Sequence, residues 1–255
     1  MRISILAALS ITVSLAACAS KPPLDQVDLM PAPDVYGDGV LNPLPETDPF
    51  EHIPYDGILY VTDRRPAAAE DEENYYLNDR GRILRVGVAN MQMGEKEFEW
   101  DFAREISKLS ARSEKYPLRI TDVDEWGILY DTLPFWIDRE LEADGNPPPD
   151  GAKRFAEAIN AQMQQSGRKD VFIYIHGFKV VYENPVLVSA ELWHFLGYQG
   201  AFIAYAWPST PSNLAYVKDS DTSGGFARNL RLLLCLLYTS PSPRDQRGSR
   251  MPSSA

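Results

Sequence analysis

Cysteine is scarce in this chain: Cys18 and Cys235 are the only two among 255 residues. A disulfide framework is thereby excluded, and the fold has to rest on an apolar core. Histidine is nearly as rare. His52, His176 and His194 show no ligand-like spacing to one another or to a cysteine, so no metal site is expected. Positive charge is in deficit, with 25 Lys and Arg against 36 Asp and Glu and a net charge of -11. Without a basic patch to offset phosphate repulsion, nucleic acid is excluded as a partner. Two glycine signatures are missing as well. No Gly-x-Gly-x-x-Gly follows a strand, so a dinucleotide site has no support and no cofactor is expected. Nor is there a Gly-x-Ser-x-Gly, the strand-to-helix elbow that presents a catalytic serine.

What is present begins with a targeting segment. Arg2 supplies a charged start, and Ile3 to Val13 is an apolar run too short to span a bilayer. Leu15-Ala16-Ala17-Cys18 resembles a bacterial lipobox, in which residues 1–17 are removed and Cys18 carries the lipid, palmitate included. Several acyl chains on one residue hold a protein stably at a membrane. The expectation is a lipid-anchored envelope protein. Ala19, rather than aspartate, after the cysteine points to the outer membrane, facing the periplasm. If Cys18 is acylated, Cys235 has no partner within the chain.

Residues 18–50 are rich in proline and poor in periodic apolar content, which predicts an extended, mostly unstructured tether. Residues 51–150 form the first part of the folded region. Gly57 to Val61 reads as a strand, Ala67 to Asn78 as an acidic surface loop, and Arg82 to Ala89 as a half-buried strand. Phe98, Phe102, Ile106 and Leu109 have helical spacing, whereas Trp126 to Trp136 is aromatic-rich but broken by Gly127 and Pro134 and is left unassigned. The acidic run Glu70 to Glu73 lacks the spacing of a calcium loop and reads as a solvated turn.

Asn146-Pro-Pro-Pro149 marks a boundary, and residues 151–234 are regular. Asp150 can cap a helix with Phe155, Ile159 and Met163 on its apolar face, closed by Gly167. Val171 to Ile175 is a short apolar run bounded by Asp170 and Gly177, which predicts a strand buried on both faces. Asn184 as cap and Pro185 at the first position start a second helix, with Val188, Leu192, Phe195 and Leu196 inward and His194 on the solvated side. Ala201 to Ala206 is a second fully apolar strand. A third helix from about Thr222 carries Phe226, Leu230, Leu233 and Leu234. Helix, strand, helix, strand, helix with short links is a doubly wound α/β layout with a mostly parallel sheet.

From Cys235 the helical periodicity stops and the chain turns basic, with Arg244, Arg247 and Arg250 against Asp245. Residues 235–255 look like translated adapter sequence and are set aside from fold reasoning as a non-native tail.

The motifs Ile58-Leu-Tyr-Val-Thr-Asp-Arg64, His176-Gly177-Phe178, Trp207-Pro208-Ser209 and Asp219 after Tyr216 together resemble a family of α/β-hydrolase-fold proteins of poorly defined function. Many of its members are bacterial envelope lipoproteins. The resemblance implies that this chain is the N-terminal half of an α/β-hydrolase. It departs at Lys179, where an asparagine is usual.

In such a fold one oxyanion donor is a backbone N–H from the loop after the His-Gly strand. Gly177 and Phe178 are therefore the oxyanion-hole candidates. His176 is read as a turn residue, its imidazole bonded to loop backbone, because the hydrolase base comes late in the chain. Ser209 reads as a turn or cap residue and Ser223, beside Gly224-Gly225, as helix-entry chemistry. No nucleophile, acid or base of a triad is assigned, since the elbow should follow the helix that begins near Thr222. Two functions stay open. One is a membrane-anchored serine hydrolase acting on small ester, thioester or amide substrates, of which this chain is an inactive fragment. The other is a non-catalytic envelope lipoprotein whose α/β domain binds or scaffolds a partner.

Overall fold

In a computed structural model, the structure describes residues 26–36, 41–52, 55, 57–71, 73–94, 99–129, 150–211 and 216–239; at His52, Arg82, 216–226 and Thr239 it describes the backbone alone. Cys18, the Asn146–Pro149 boundary and residues 240–255 lie outside the described residues.

Among the described residues the strands and α-helices follow one another as β1 (Val27–Asp28), β2 (Ile58–Pro66), β3 (Tyr76–Met93), α1 (Trp100–Ser107), β4 (Pro117–Ile128), α2 (Gly151–Ser166), β5 (Val171–Ile175), α3 (Glu183–Phe195), β6 (Ala201–Ala206) and α4 (Tyr216–Thr239). The six strands form one mixed sheet in the order β1-β4-β3-β2-β6-β5. β5 pairs with β6 and β6 with β2 in parallel, while β2, β3, β4 and β1 run antiparallel to their neighbours. The expected parallel sheet is thus confined to β5, β6 and β2. Beyond β2 the chain turns back through a direct hairpin to β3, which forces antiparallel pairing.

Helices cover both faces. On one, Phe155, Ala158 and Ile159 of α2 and Leu233 of α4 join Leu59, Val61, Leu84, Val86, Ile203 and Tyr205 in a buried cluster. On the other, Val186 and Trp193 of α3 meet Ile58, Tyr60, Ala89, Phe202 and Ala204. The period-2 alternation along β2 and β6 feeds both clusters at once, which is why neither strand carries an exposed apolar residue. Burying each such side chain contributes about 1.5–3 kcal/mol. α2 is closed by Gly167 in the left-handed conformation, φ 66°, with its N–H bonded to the Gln164 carbonyl. Its Asp150 stands at the cap position without a side-chain cap bond. Among the described residues no helix is long and apolar enough to cross a membrane.

Several expectations need correction. Val171–Ile175 is an edge strand in the described sheet, not a strand buried on both faces: Val171 is 36% and Ile175 39% exposed. Arg82 to Ala89 belongs to an 18-residue strand that is buried rather than half-buried over Ile83–Ala89, because β3 lies between β2 and β4 with a helix on each side. The loop at 67–78 ends earlier, since Tyr76 already pairs with Pro66. α1 is shorter than the apolar spacing suggested. Ala103, Ile106 and Ser107 face inward, whereas Phe102 and Leu109 are exposed and Phe98 lies outside the described residues.

α3 begins at Glu183, so Asn184 is not its cap. Its predicted stripe is also misplaced: Leu196 is exposed, while Leu187, Glu191 and His194 are buried. A single-face pattern fails here because α3 is enclosed twice, by the sheet and by the chain segment around Leu29 with α1.

The tether is also shorter than expected. From residue 26 the chain is laid onto the domain, with Val27 paired to Leu118 and Leu29, Ala32 and Leu44 buried. At the other end α4 begins at Tyr216 and continues to Thr239, so the boundary drawn at Cys235 falls inside a helix. Leu236 and Leu237 lie partly buried against the same core as Leu233, although Leu234 is exposed. Ser223 is accordingly inside the helix backbone and not at its entry.

Candidate functional site

The parallel register aligns three strand ends. Thr62 of β2 stands opposite Ala206 of β6, and Ile175 of β5 opposite Tyr205. The residues that follow, Asp63-Arg64, Trp207-Pro208-Ser209 and His176-Gly177-Phe178, therefore come together at one carboxyl edge, where open α/β sheets hold their ligands.

Side chains lock this edge. Thr62 Oγ1 donates to the Ala206 carbonyl at 2.6 Å. The Trp207 indole N–H donates to the His176 carbonyl at 2.8 Å, and His176 Nε2 lies 2.9 Å from the Trp207 carbonyl oxygen. The two rings stack with centroids 5.1 Å apart and planes 5° from parallel. His176 Nδ1 lies 2.6 Å from the Gly177 carbonyl oxygen. A neutral imidazole has one N–H to offer these two acceptors. The carbonyls favour the charged ring, but burial and the nearby Arg64 charge outweigh them and hold its pKa down to about 4. At neutral pH the ring is uncharged.

Arg64 is fully buried. Its guanidinium donates to Asn78 Oδ1 and to the Val180 carbonyl, each at 2.7 Å, tying β2 to the loop after β5. Beside it, Asp63 Oδ2 accepts from Asn229 Nδ2 of α4 at 2.8 Å and lies 3.8 Å from Arg80 Nε. Asp63 Oδ1 has no partner among the described residues. Burial raises the Asp63 pKa above the usual carboxylate value, against the opposing pull of Asn229 and Arg80.

The loop after β5 is shaped for approach. A Cβ built on Gly177 would meet no described atom within 4 Å, and Gly177 itself is exposed. Phe178 is partly exposed and sets its ring edge-on to Trp207 at 5.5 Å. Lys179 has φ 64°, a left-handed conformation that asparagine tolerates far better than lysine. That is a physical reason for the asparagine usual at this place in the resembled family. Ser209 is fully buried, and its Oγ accepts from the Val180 N–H at 3.3 Å.

The structure thus brings together His176, Gly177, Phe178, Trp207, Pro208 and Ser209. Asp219 stands in the backbone of α4, but its side chain lies outside the described residues. The Asp63–Asn229 contact had no sequence signal beyond the position of Asp63 in a recognised motif. His194, expected in solvent, is buried. Its Nε2 lies 2.7 Å from Ser107 Oγ and its Nδ1 2.8 Å from Tyr198 Oη, and burial lowers its pKa to about 4. Ser107 also donates to the Ala103 carbonyl at 2.7 Å, so this serine is held in the turn of its own helix. Among the described residues no group of three or more His, Cys, Asp or Glu could hold a metal ion.

Neither the curated proteins nor the solved structures gave a match to this chain. Residues 152–245, from α2 through α4 and beyond, match the model of the family described as alpha/beta hydrolase of unknown function, DUF900. The match spans β5, β6 and both of their motifs. With its mixed sheet, parallel strands and flanking helices, the chain has an α/β fold, and over residues 152–245 it is similar to that α/β-hydrolase family.

Proposed function

We propose that the carboxyl edge of β5, β6 and β2 is the oxyanion side of an acyl-binding pocket of the serine-hydrolase type, in a protein held at the bacterial envelope through lipid on Cys18. The observation that carries this reading is the convergence of three separate motifs on one edge, with Gly177 clear of every described atom there. The backbone N–H groups of Gly177 and Phe178 are the assigned donors to a developing oxyanion. Buried Arg64 supplies positive potential, and the neutral His176 and Trp207 fix the loop without taking part in proton transfer.

The sequence contains no Gly-x-Ser-x-Gly, and Ser209 is enclosed and engaged. The 255-residue chain is therefore expected to bind small acyl-type anions without hydrolysing esters. Calorimetric titration with butylphosphonate, a tetrahedral anion resembling the intermediate of acyl transfer, tests this. Wild type should bind it and Gly177→Val should not, with the melting temperature of that variant unchanged. Equal binding by both proteins would remove Gly177 from the site.

A further inference from the structure

A second site lies away from the carboxyl edge. A cavity of about 360 Å³ opens between α1, the C-terminal half of α3, the far end of β3 and the chain segment before β2. Its volume is at the lower end of the range used for small ligands. Four of its lining residues are aromatic: Phe50, Trp100, Trp193 and Tyr198. The ring of Tyr198 stands at 80° to Phe50, 68° to Trp100 and 68° to Trp193, with centroids 4.9–5.8 Å apart. Phe50 in turn stands at 80° to Trp193. Rings set nearly perpendicular to their neighbours form the walls of a box rather than a stack.

The charge in this lining has one sign. Among the described residues, Asp48 and Glu191 contribute to it, and neither lysine nor arginine does. His194, which also lines the cavity, is uncharged at neutral pH for the reason given above. Arg112 donates to the carbonyls of Leu29 and Met30 and keeps its charge, which acts on both Glu191 and His194, so the field of the lining rests chiefly on Asp48. Glu191 accepts the Met30 N–H, and Asp48 Oδ1 accepts the Phe50 N–H at 2.9 Å. Both carboxylates are thus held at the wall. Tyr198 adds a sign of constraint, for its φ of 57° is rare in a bulky residue and is maintained by the contacts of its ring and hydroxyl.

We propose that this cavity binds a small organic ammonium ion, through the faces of its aromatic box and the field of Asp48 and Glu191. Cation–π attraction in a desolvated aromatic cage favours a diffuse alkylammonium charge over a metal ion, which would need oxygen ligands converging on one point. The same chemistry occurs in a free ammonium ion and in a lipid head group, and the experiment distinguishes these sources.

Calorimetry on the 255-residue chain with choline, and with its uncharged isostere 3,3-dimethylbutan-1-ol, tests the proposal. Choline is expected to bind saturably and the isostere at least about tenfold more weakly, the magnitude a desolvated cation–π contact supports. Asp48→Asn keeps an acceptor for the Phe50 N–H, and Trp100→Leu keeps apolar bulk. Each should weaken choline about tenfold while leaving butylphosphonate binding unaltered, which shows that the variant is folded. A short-chain phosphatidylcholine that binds about tenfold more tightly than choline identifies a lipid head group as the source, and equal affinities identify the free ion. Equal affinity for choline and its isostere, or no saturable heat up to about 50 mM choline, overturns the proposal.

Discussion

His176 and Trp207 meet at two points: the Trp207 indole N–H donates to the His176 carbonyl at 2.8 Å and His176 Nε2 lies 2.9 Å from the Trp207 carbonyl oxygen, with the rings stacked between. This reciprocal clasp joins the ends of β5 and β6 where the chain leaves the sheet. It explains why a His-Gly and a Trp-Pro-Ser, 31 positions apart, form a single structural unit. Trp207→Phe keeps the stacked ring but removes the indole donor, leaving the His176 carbonyl unpaired. The expected loss is about 1–3 kcal/mol in urea unfolding. A change below about 0.3 kcal/mol would mean that the clasp contributes nothing.

Lys179 is predicted to be a site of easy improvement. At φ 64° a lysine is strained and a glycine is not. Lys179→Gly should raise stability by about 0.5–1 kcal/mol, and Lys179→Asn by less. Thermal melts of the three proteins give the ranking, and a destabilised glycine variant would show that the lysine's own contacts outweigh the strain.

Acid should weaken the fold through its buried histidines. His176 and His194 are held neutral down to about pH 4, whereas in the unfolded chain they take up protons near pH 6.5. Across that window the unfolded state binds more protons, so stability rises with pH and is lost as pH falls from 6.5 to 4. Each histidine contributes at most about 3 kcal/mol. Asp63 and Glu191, whose pKa values burial raises, act in the opposite sense by binding protons first in the folded state. The test is therefore a comparison. His194→Gln should be less stable than wild type at pH 7, but its urea midpoint should fall less steeply between pH 6.5 and 4.5. Parallel slopes would assign the acid sensitivity elsewhere.

The end of α4 gives a prediction about where the folded chain stops. Leu233 is fully buried, and Leu236 and Leu237 pack against the same cluster. Leu233→Ala should cost about 2–5 kcal/mol, as in other well-packed cores. Leu237→Ala, on a partly buried residue, should cost roughly 1 kcal/mol. No effect at Leu237 would mean that the last turn of α4 adds nothing to the core.

These outcomes show how far the sequence can be read. β2, β5, β6 and α2 were legible because the strands are short, bounded apolar runs and α2 has one apolar face with clear punctuation at Gly167. The two motifs at the carboxyl edge were legible for the same reason. α3 was not, because it is buried on two sides and its polar residues Glu191 and His194 face α1 and the segment around Met30. Residues 26–52 misled for a related reason: prolines suggested a tether, whereas Leu29 and Leu44 bury themselves singly, without any period to detect. The pairing of Asp63 with Asn229 joins positions 166 apart and depends on the fold alone.

Hydrolysis by the 255-residue chain is expected to be absent. p-Nitrophenyl acetate should be turned over at the background rate, since no serine stands on an elbow sequence. Turnover abolished by a single serine substitution would reveal a nucleophile in an unrecognised setting.

The central claim, that the loop after β5 is an oxyanion-binding surface, is tested most directly by amide NMR during titration with butylphosphonate. The account predicts saturable shifts centred on the N–H resonances of Gly177 and Phe178, with those of the choline cavity around Tyr198 unmoved. Shifts confined to other residues, or no saturable shift at Gly177 and Phe178, would contradict it.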